Sequence, residues 1–254
     1  MNHVGHVREI TRYPIKSMAG VSIESAMLAW HGLAGDRRFA FRRMEDSSGF
    51  PWLSASRLPE LVLHQPVGLD ETSGEPLPTH VCTPSGSQLQ LNSAELNAEI
   101  SERLGSKVEL MYLKHGIFDE AAISVISLAT IAGIGREAGL GEELDHRRFR
   151  ANIVVETEKN DPFLEDEWIG GTLVFGDRDQ PPAVNITMPD LRCVMINIDP
   201  ETAAKDARIM KTTTRLNQTN AGVYATVMRT GTIRVGDRVS LNKDASLSGD
   251  DDEY

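Results

Sequence analysis

Glycine and proline cut this chain into short β-prone runs, and that punctuation limits the folds open to it. HVREITRYPI opens the sequence, and VSIESAMLA follows an Ala19-Gly20 turn. Gly32 and Gly35 flank a turn before DRRFAFRR, where Phe39 and Phe41 share one face of a strand. LVLHQPV, SQLQLN and VELMYLK add further strands, and Ile123–Ile126, Ile153–Val155, Val223–Val227, Ile233–Val235 and Val239–Leu241 continue the pattern. Runs this short, divided this often, predict a barrel or sandwich, mostly β with some α (α+β). One helix begins with Asn92 as N-cap and Glu95 at N3, buries Leu96, Ile100 and Leu104, and stops at Gly105. A second takes Ser127 as N-cap and runs from Leu128 to Ala138, ending at Gly139. That parse matters, because Gly133, Gly135 and Ala138 spell G-x-G-x-x-A with Glu156 about twenty residues on, the outline of a dinucleotide-binding turn. Such a turn needs its glycines between strand and helix. Here they fall inside the helix, so a pyrophosphate cradle is not expected.

Composition narrows the classes of function. At 254 residues, 40% hydrophobic and 25% charged, the chain suits a soluble globular protein of one large or two small domains. It contains no apolar run long enough for a membrane helix, and its start lacks a signal-type apolar core, with Glu9 set in a strand-like pattern. A cytoplasmic protein with no membrane span is expected. The net charge of −11 argues against general nucleic-acid binding. Part of that charge lies in Asp244, Asp250, Asp251, Asp252 and Glu253, which read as a solvated, disordered tail. Two cysteines, Cys82 and Cys193, make neither a disulfide framework nor an iron–sulfur site.

Six places carry chemistry. In PDLRCVMINIDPET, Cys193 stands at the entrance of an apolar, β-prone run, Val194 to Ile198, with Arg192 directly before it. A guanidinium beside a thiol favours the thiolate, a ligand for thiophilic metals. Asp199 and Pro200 then read as N-cap and N1 of a short helix. In YPIKS, Lys16 and Ser17 follow a proline-fixed turn and can present an ammonium and a hydroxyl to one anion. In GDRRF, Asp36 can orient Arg37, whose fork suits a phosphate. Ser127 and Thr130 open a helix, where hydroxyls and backbone N–H groups attract anions. In HRRFRANIVVE, strand alternation puts Arg150 and Asn152 on one side. Tyr224 lies in a strand near the C-terminal end. Taken singly, each has a plain structural counterpart: a buried cysteine, an exposed turn lysine, a solvated charge cluster, simple capping, a basic surface patch with Arg147 and Arg148, and a core tyrosine.

Together, YPIKS, GDRRF, FRAN, LRC to DPET, and GTIRVGD resemble in this order the MOSC family with its N-terminal associated domain, including the mitochondrial amidoxime-reducing members and their bacterial relatives. The resemblance spans nearly the whole chain apart from the tail. It implies two lobes: a smaller N-terminal β domain over residues 1–115, a β-barrel-like MOSC domain over 116–245, and an acidic tail over 246–254. It implies a molybdenum cofactor (Mo-molybdopterin) between the lobes, with Cys193 as metal ligand and Tyr224 approaching the metal. Lys16, Ser17, Arg37, Ser127, Thr130, Arg150, Asn152 and Arg192 carry over as cofactor contacts. Arg38 leaves the arginine register open by one. Ala151 replaces a proline usual in eukaryotic members, and Leu191 replaces a serine often found in vertebrate ones. Pyridoxal phosphate binding, also ascribed to the family, is assigned to no residue. The activity implied is reduction of N-hydroxylated compounds such as amidoximes and hydroxylamines. No ferredoxin-type cysteine pattern is present, so a separate ferredoxin- or cytochrome-type electron donor with its reductase is expected as partner. Two other uses of the pocket stay open: a non-catalytic cofactor carrier, and a sulfur carrier with a persulfide on Cys193.

Overall fold

A computed structural model describes residues 2–116 and 120–243. The acidic tail expected beyond Asp244 lies outside the described residues. In chain order the N-terminal half forms strands β1 (Asn2–Arg12), β2 (Val21–Ile23), β3 (Ser25–Ala29), β4 (Gly32–Leu33), β5 (Phe39–Arg43), β6 (Gln65–Val67), β7 (His80–Cys82) and β8 (Gln88–Gln90). Helix α1 (Ala94–Leu104) and strand β9 (Val108–Tyr112) follow. The C-terminal half forms β10 (Ile123–Ser127), α2 (Leu128–Glu137), β11 (Ile153–Thr157), β12 (Thr172–Phe175), β13 (Ala183–Leu191), α3 (Ala207–Asn217), β14 (Asn220–Arg229), β15 (Gly231–Arg234) and β16 (Arg238–Asn242).

Seven strands close a barrel in the order β11-β10-β14-β13-β12-β16-β1, with β1 returning to β11 and β2 added beside it. The fold is therefore mostly β with a few helices, as the strand punctuation predicts. All neighbours are antiparallel except β10 and β11, which run parallel and so need a crossover, supplied by α2. The first strand of the chain is thus laid between two strands from its second half. Val7, Ile10, Val125, Val155, Phe175, Val184, Val223 and Val239 fill the interior, together with Trp168. A second core joins Ile15, Met18, Phe39, Phe41, Leu61, Leu96 and Ile100 around β5–β9, β6-β7-β8 and α1. A third packs α2 and α3 over Ile126, Phe149, Val154 and Ile196.

Several local expectations shift. The cap of α1 is Ser93, whose hydroxyl accepts from Leu96 N–H at 3.1 Å, one residue beyond Asn92. LVLHQPV divides: Pro59–Leu63 is a 3-10 turn started by proline, and only Gln65–Val67 pairs as a strand. The run after Cys193 is no strand. It forms a 3-10 turn, Val194–Asn197, so Cys193 stands just past the exit of β13. Its apolar residues divide between bodies, which overrides their β preference. Ile196 enters the third core and Ile198 the second. Asp199 closes a turn by accepting from Glu201 N–H and Thr202 N–H; the following helix starts eight residues later, capped by Asp206.

Helix α2 holds both glycines of the G-x-G-x-x-A spacing, as the capping pattern predicts. They serve packing. A Cβ on Gly133 would stand 2.7 Å from Pro162 Cγ, and one on Gly135 2.3 Å from Gly141 O. Among the described residues no helix is long and apolar enough to cross a membrane.

Candidate functional site

Both lobes contribute to one cavity. Lys16, Ser17 and Arg37 come from the N-terminal half, and Arg150, Cys193 and Tyr224 from the barrel side. Core packing fixes each. Ile15 and Met18 are fully buried in the second core, so the YPIKS turn is anchored on either side of Lys16 and Ser17. Lys16 N–H donates to Phe39 O at 2.8 Å, tying the turn to β5. The Lys16 ammonium lies 5.4 Å from the Phe50 ring centroid.

Arg37 is the link between lobes. Its guanidinium pairs with the fully buried Asp36 carboxylate, donates to Asn152 Oδ1 at 3.1 Å, and donates to Arg150 O at 3.1 Å. Asp36 is itself held by Tyr13 N–H at 2.7 Å. The doubled arginine resolves here: Arg38 turns away to Glu75 and to the carbonyl of Asp36. Tyr13 supplies a platform that the motif alone did not single out. Arg150 Cζ lies 4.2 Å from its ring centroid and Arg37 Cζ 5.4 Å, within cation–π range. Arg150 also donates to Met18 O at 2.7 Å.

Three cavity residues carry a backbone signature invisible in the sequence. Ser17, Arg37 and Arg150 have φ of +68°, +49° and +53°. Left-handed backbone costs a non-glycine residue about 1 kcal/mol or more, and such residues gather where function constrains the chain. Seven non-glycine residues among those described have positive φ, and three of them line this cavity.

Other sequence-derived candidates are engaged by the protein itself. Asn152 is buried behind Arg37, its amide donating to Thr11 O and its carbonyl also accepting from Ser124 N–H, so it positions the arginine and does not line the cavity. Ser127 and Thr130 are fully buried and donate their hydroxyls to Glu165 Oε2 at 2.8 and 2.9 Å. The acceptor at the start of α2 is thus the protein's own Glu165 carboxyl group, and Ser127 and Thr130 do not line the cavity. Arg192 does line the cavity, beside Cys193, but the protein itself engages its charge. Its guanidinium does not accompany the neighbouring thiol but turns inward, to Ala221 O at 2.6 Å, Phe149 O at 2.5 Å and Asp190 Oδ2 at 2.8 Å. Gly222 gives it room: in its left-handed conformation (φ +83°), an added Cβ would meet Arg192 Nη2 at 3.0 Å and Val125 O at 2.6 Å.

Cys193 is an exposed free thiol, flanked by Leu191 and Val194, 65% and 54% exposed. Tyr224, nearly buried, reaches the same cavity. Arg148, read in the sequence only as part of a surface patch, and Asp190, not singled out there, also line the cavity. Arg148 bonds Asn197 O and Asp199. Asp190, 1% exposed, accepts from Ser124 Oγ at 2.6 Å through Oδ2, the oxygen that also faces Arg192. Burial pushes its carboxyl pKa up, opposed by the Arg192 charge and by the hydroxyls of Ser124 and Tyr224.

Glu165 makes the charge balance of α2 testable. Burial raises its pKa above the ordinary glutamate value against the hydrogen bonds from Ser127 and Thr130. The folded state therefore keeps this proton to higher pH than the unfolded chain. Its contribution to stability is greatest below about pH 4.5, falls as pH rises towards the folded pKa, and is level above it. Thermal melts across this window should show wild type losing stability relative to Glu165→Gln as pH rises. Parallel profiles for the two proteins would remove Glu165 as the titrating group.

A seven-stranded barrel joined to a smaller β lobe, with a cysteine and several cations around one cavity, defines the class. A family model described as MOSC domain matches residues 112–240, and one described as MOSC N-terminal beta barrel domain matches residues 4–108. The chain belongs to the MOSC family. The structure of the YUAD protein from Bacillus subtilis is similar over 94% of this chain and 95% of that one, at 14% identity and a TM-score of 0.50, a likeness of fold. YiiM from Escherichia coli aligns over 94% and 72% at 11% identity and a TM-score of 0.42. YiiM from Geobacillus stearothermophilus aligns over 48% and 54% at 16% identity and a TM-score of 0.34. No curated protein matches the chain.

Proposed function

We propose that this protein is a molybdenum-cofactor-binding oxidoreductase that reduces N-hydroxylated compounds, amidoximes and hydroxylamines, with electrons from a separate redox protein. MOSC domains are associated with the molybdenum cofactor, and the donor set here suits that group. An exposed thiol is a soft ligand for a thiophilic metal. Lys16, Ser17, Arg37 and Arg150 line the same cavity and offer hydrogen-bond donors to a phosphate end. The observation that carries the reading is this convergence of thiol, hydroxyl and cations from two lobes on one cavity.

Cys193 would hold the metal and Lys16, Ser17, Arg37 and Arg150 the phosphate, with Asn152 and Tyr13 fixing the arginines. When bound, the cofactor supplies the two-electron chemistry that breaks the N–O bond. The net reaction takes an amidoxime, two electrons and two protons to an amidine and water. Tyr224 brings a hydroxyl to the cavity where those protons are needed, and the exposed Leu191 offers an apolar surface at the cavity for the body of the substrate. A ferredoxin- or cytochrome-type protein with its reductase would deliver the electrons. The exposure of Cys193 also suits a persulfide carrier, which would show a reductant-reversible mass increment of one sulfur atom. The reductase reading expects steady reduction of benzamidoxime by metal-loaded protein supplied with an electron donor. Absence of turnover at full metal loading would end it.

A further inference from the structure

Asp190 poses a question that the proposed chemistry leaves unanswered. The carboxylate is buried at the cavity wall, three residues before Cys193, and the Tyr224 hydroxyl also acts on it, yet only Oδ2 has partners at normal hydrogen-bond distance. Oδ2 takes the Ser124 hydroxyl and the Arg192 guanidinium. Oδ1 is buried and has no hydrogen-bond partner among the described residues. Buried acceptors of this kind are rare in folded proteins because each one forfeits its hydration without replacement. The partners of Oδ2 also hold the carboxylate rigid. Arg192 is itself held by Ala221 O and Phe149 O.

We infer that Asp190 Oδ1 is the acceptor for an N–H donor of the bound substrate, and that it selects compounds with an amino group beside the N–O bond, such as amidoximes and N-hydroxyguanidines. This rests on the reductase reading for the substrate's N–O group and deepens it by naming the recognition contact. A site built to hydrogen-bond a ligand N–H discriminates strongly against analogues that lack it, since the buried acceptor is then left unpaired. Compounds without that N–H, such as tertiary amine N-oxides, make no such bond.

Asp190→Asn tests the contact by reversing its polarity. Ser124 and Arg192 both present donors, so the amide oxygen must take the place of Oδ2. The amide NH2 then stands where Oδ1 was, and a substrate N–H meets another donor. Benzamidoxime and N,N-dimethylbenzamidoxime, which lacks the amino N–H, are to be titrated calorimetrically into molybdenum-loaded wild type and Asp190→Asn, with no electron donor present. Wild type should prefer benzamidoxime, and Asp190→Asn should lose about 10- to 100-fold of that preference, with metal content unchanged. The double comparison cancels the bulk of the methyl groups. An unchanged preference, failure of benzamidoxime to bind wild type, or loss of molybdenum from Asp190→Asn would each overturn the inference, the last by assigning the acceptor to the cofactor. Addition of an electron donor separates the two claims. Turnover by wild type without Asp190-dependent preference leaves the reductase and removes the contact. Asp190-dependent binding without turnover leaves the contact and removes the reductase.

Discussion

Arg192→Met is expected to lower the melting temperature of the cofactor-free protein by roughly 10 °C, the largest stability loss of any single cavity substitution. The guanidinium is buried and satisfies the carbonyls of Ala221 and Phe149 as well as the Asp190 carboxylate. Removing it leaves two carbonyls without donors and a buried carboxylate without its counter-charge. Breaking a buried ion pair from one side typically costs about 3–5 kcal/mol. In a protein of this size each kcal/mol shifts the melting temperature by about 2–4 °C. Asp190 can limit the loss by taking up a proton, which is why the expected drop lies towards the lower end. Combining Arg192→Met with Asp190→Asn should recover part of it, since the buried charge is then gone. An Arg192 serving only to hold a ligand would give a different result: a melting temperature of the cofactor-free protein within about 2 °C of wild type.

Cys193→Ser should behave in the opposite way. The side chain is exposed, caps nothing and lies outside the three cores. Surface substitutions of this kind change stability by about 0.5 kcal/mol or less. Activity should nonetheless vanish, because a hydroxyl does not replace a thiolate as ligand for a thiophilic metal. Thermal melts and benzamidoxime turnover measured on the same preparation decide the matter. Loss of turnover together with a large fall in melting temperature would make Cys193 a structural residue.

The contrast between these two neighbours shows what the sequence carried and what it did not. Arg192 and Cys193 read as one electrostatic unit, guanidinium beside thiol. At the end of β13 the backbone sends one side chain into the barrel wall and leaves the other at the surface. Strand-period patterns and caps were legible because they are local: Ser127 caps α2, Gly105 ends α1, and the two helical glycines sit where capping chemistry put them. Closure of the barrel by β1 between β16 and β11 joins residues more than a hundred positions apart, and no local period encodes it. For the same reason the carboxylate of Glu165 at the start of α2 could not be foreseen from FLEDEW, and it displaces Ser127 and Thr130 from the site expected for them. Lys16, Ser17, Arg37 and Arg150 do meet at one cavity. The left-handed backbone of the last three is a property of packing, since none of these residue types prefers it. Asp190 lay within a stretch already read for its cysteine, and only burial with an unpaired oxygen sets it apart.

The most direct test of the central claim is the molybdenum content of the purified protein, measured by elemental mass spectrometry after expression in a host that makes the cofactor. Wild type should carry close to one molybdenum per chain and Cys193→Ser little or none, while both fold alike. Folded wild type without molybdenum, or a Cys193→Ser protein that keeps its full complement, would contradict the assignment of this cavity to the cofactor.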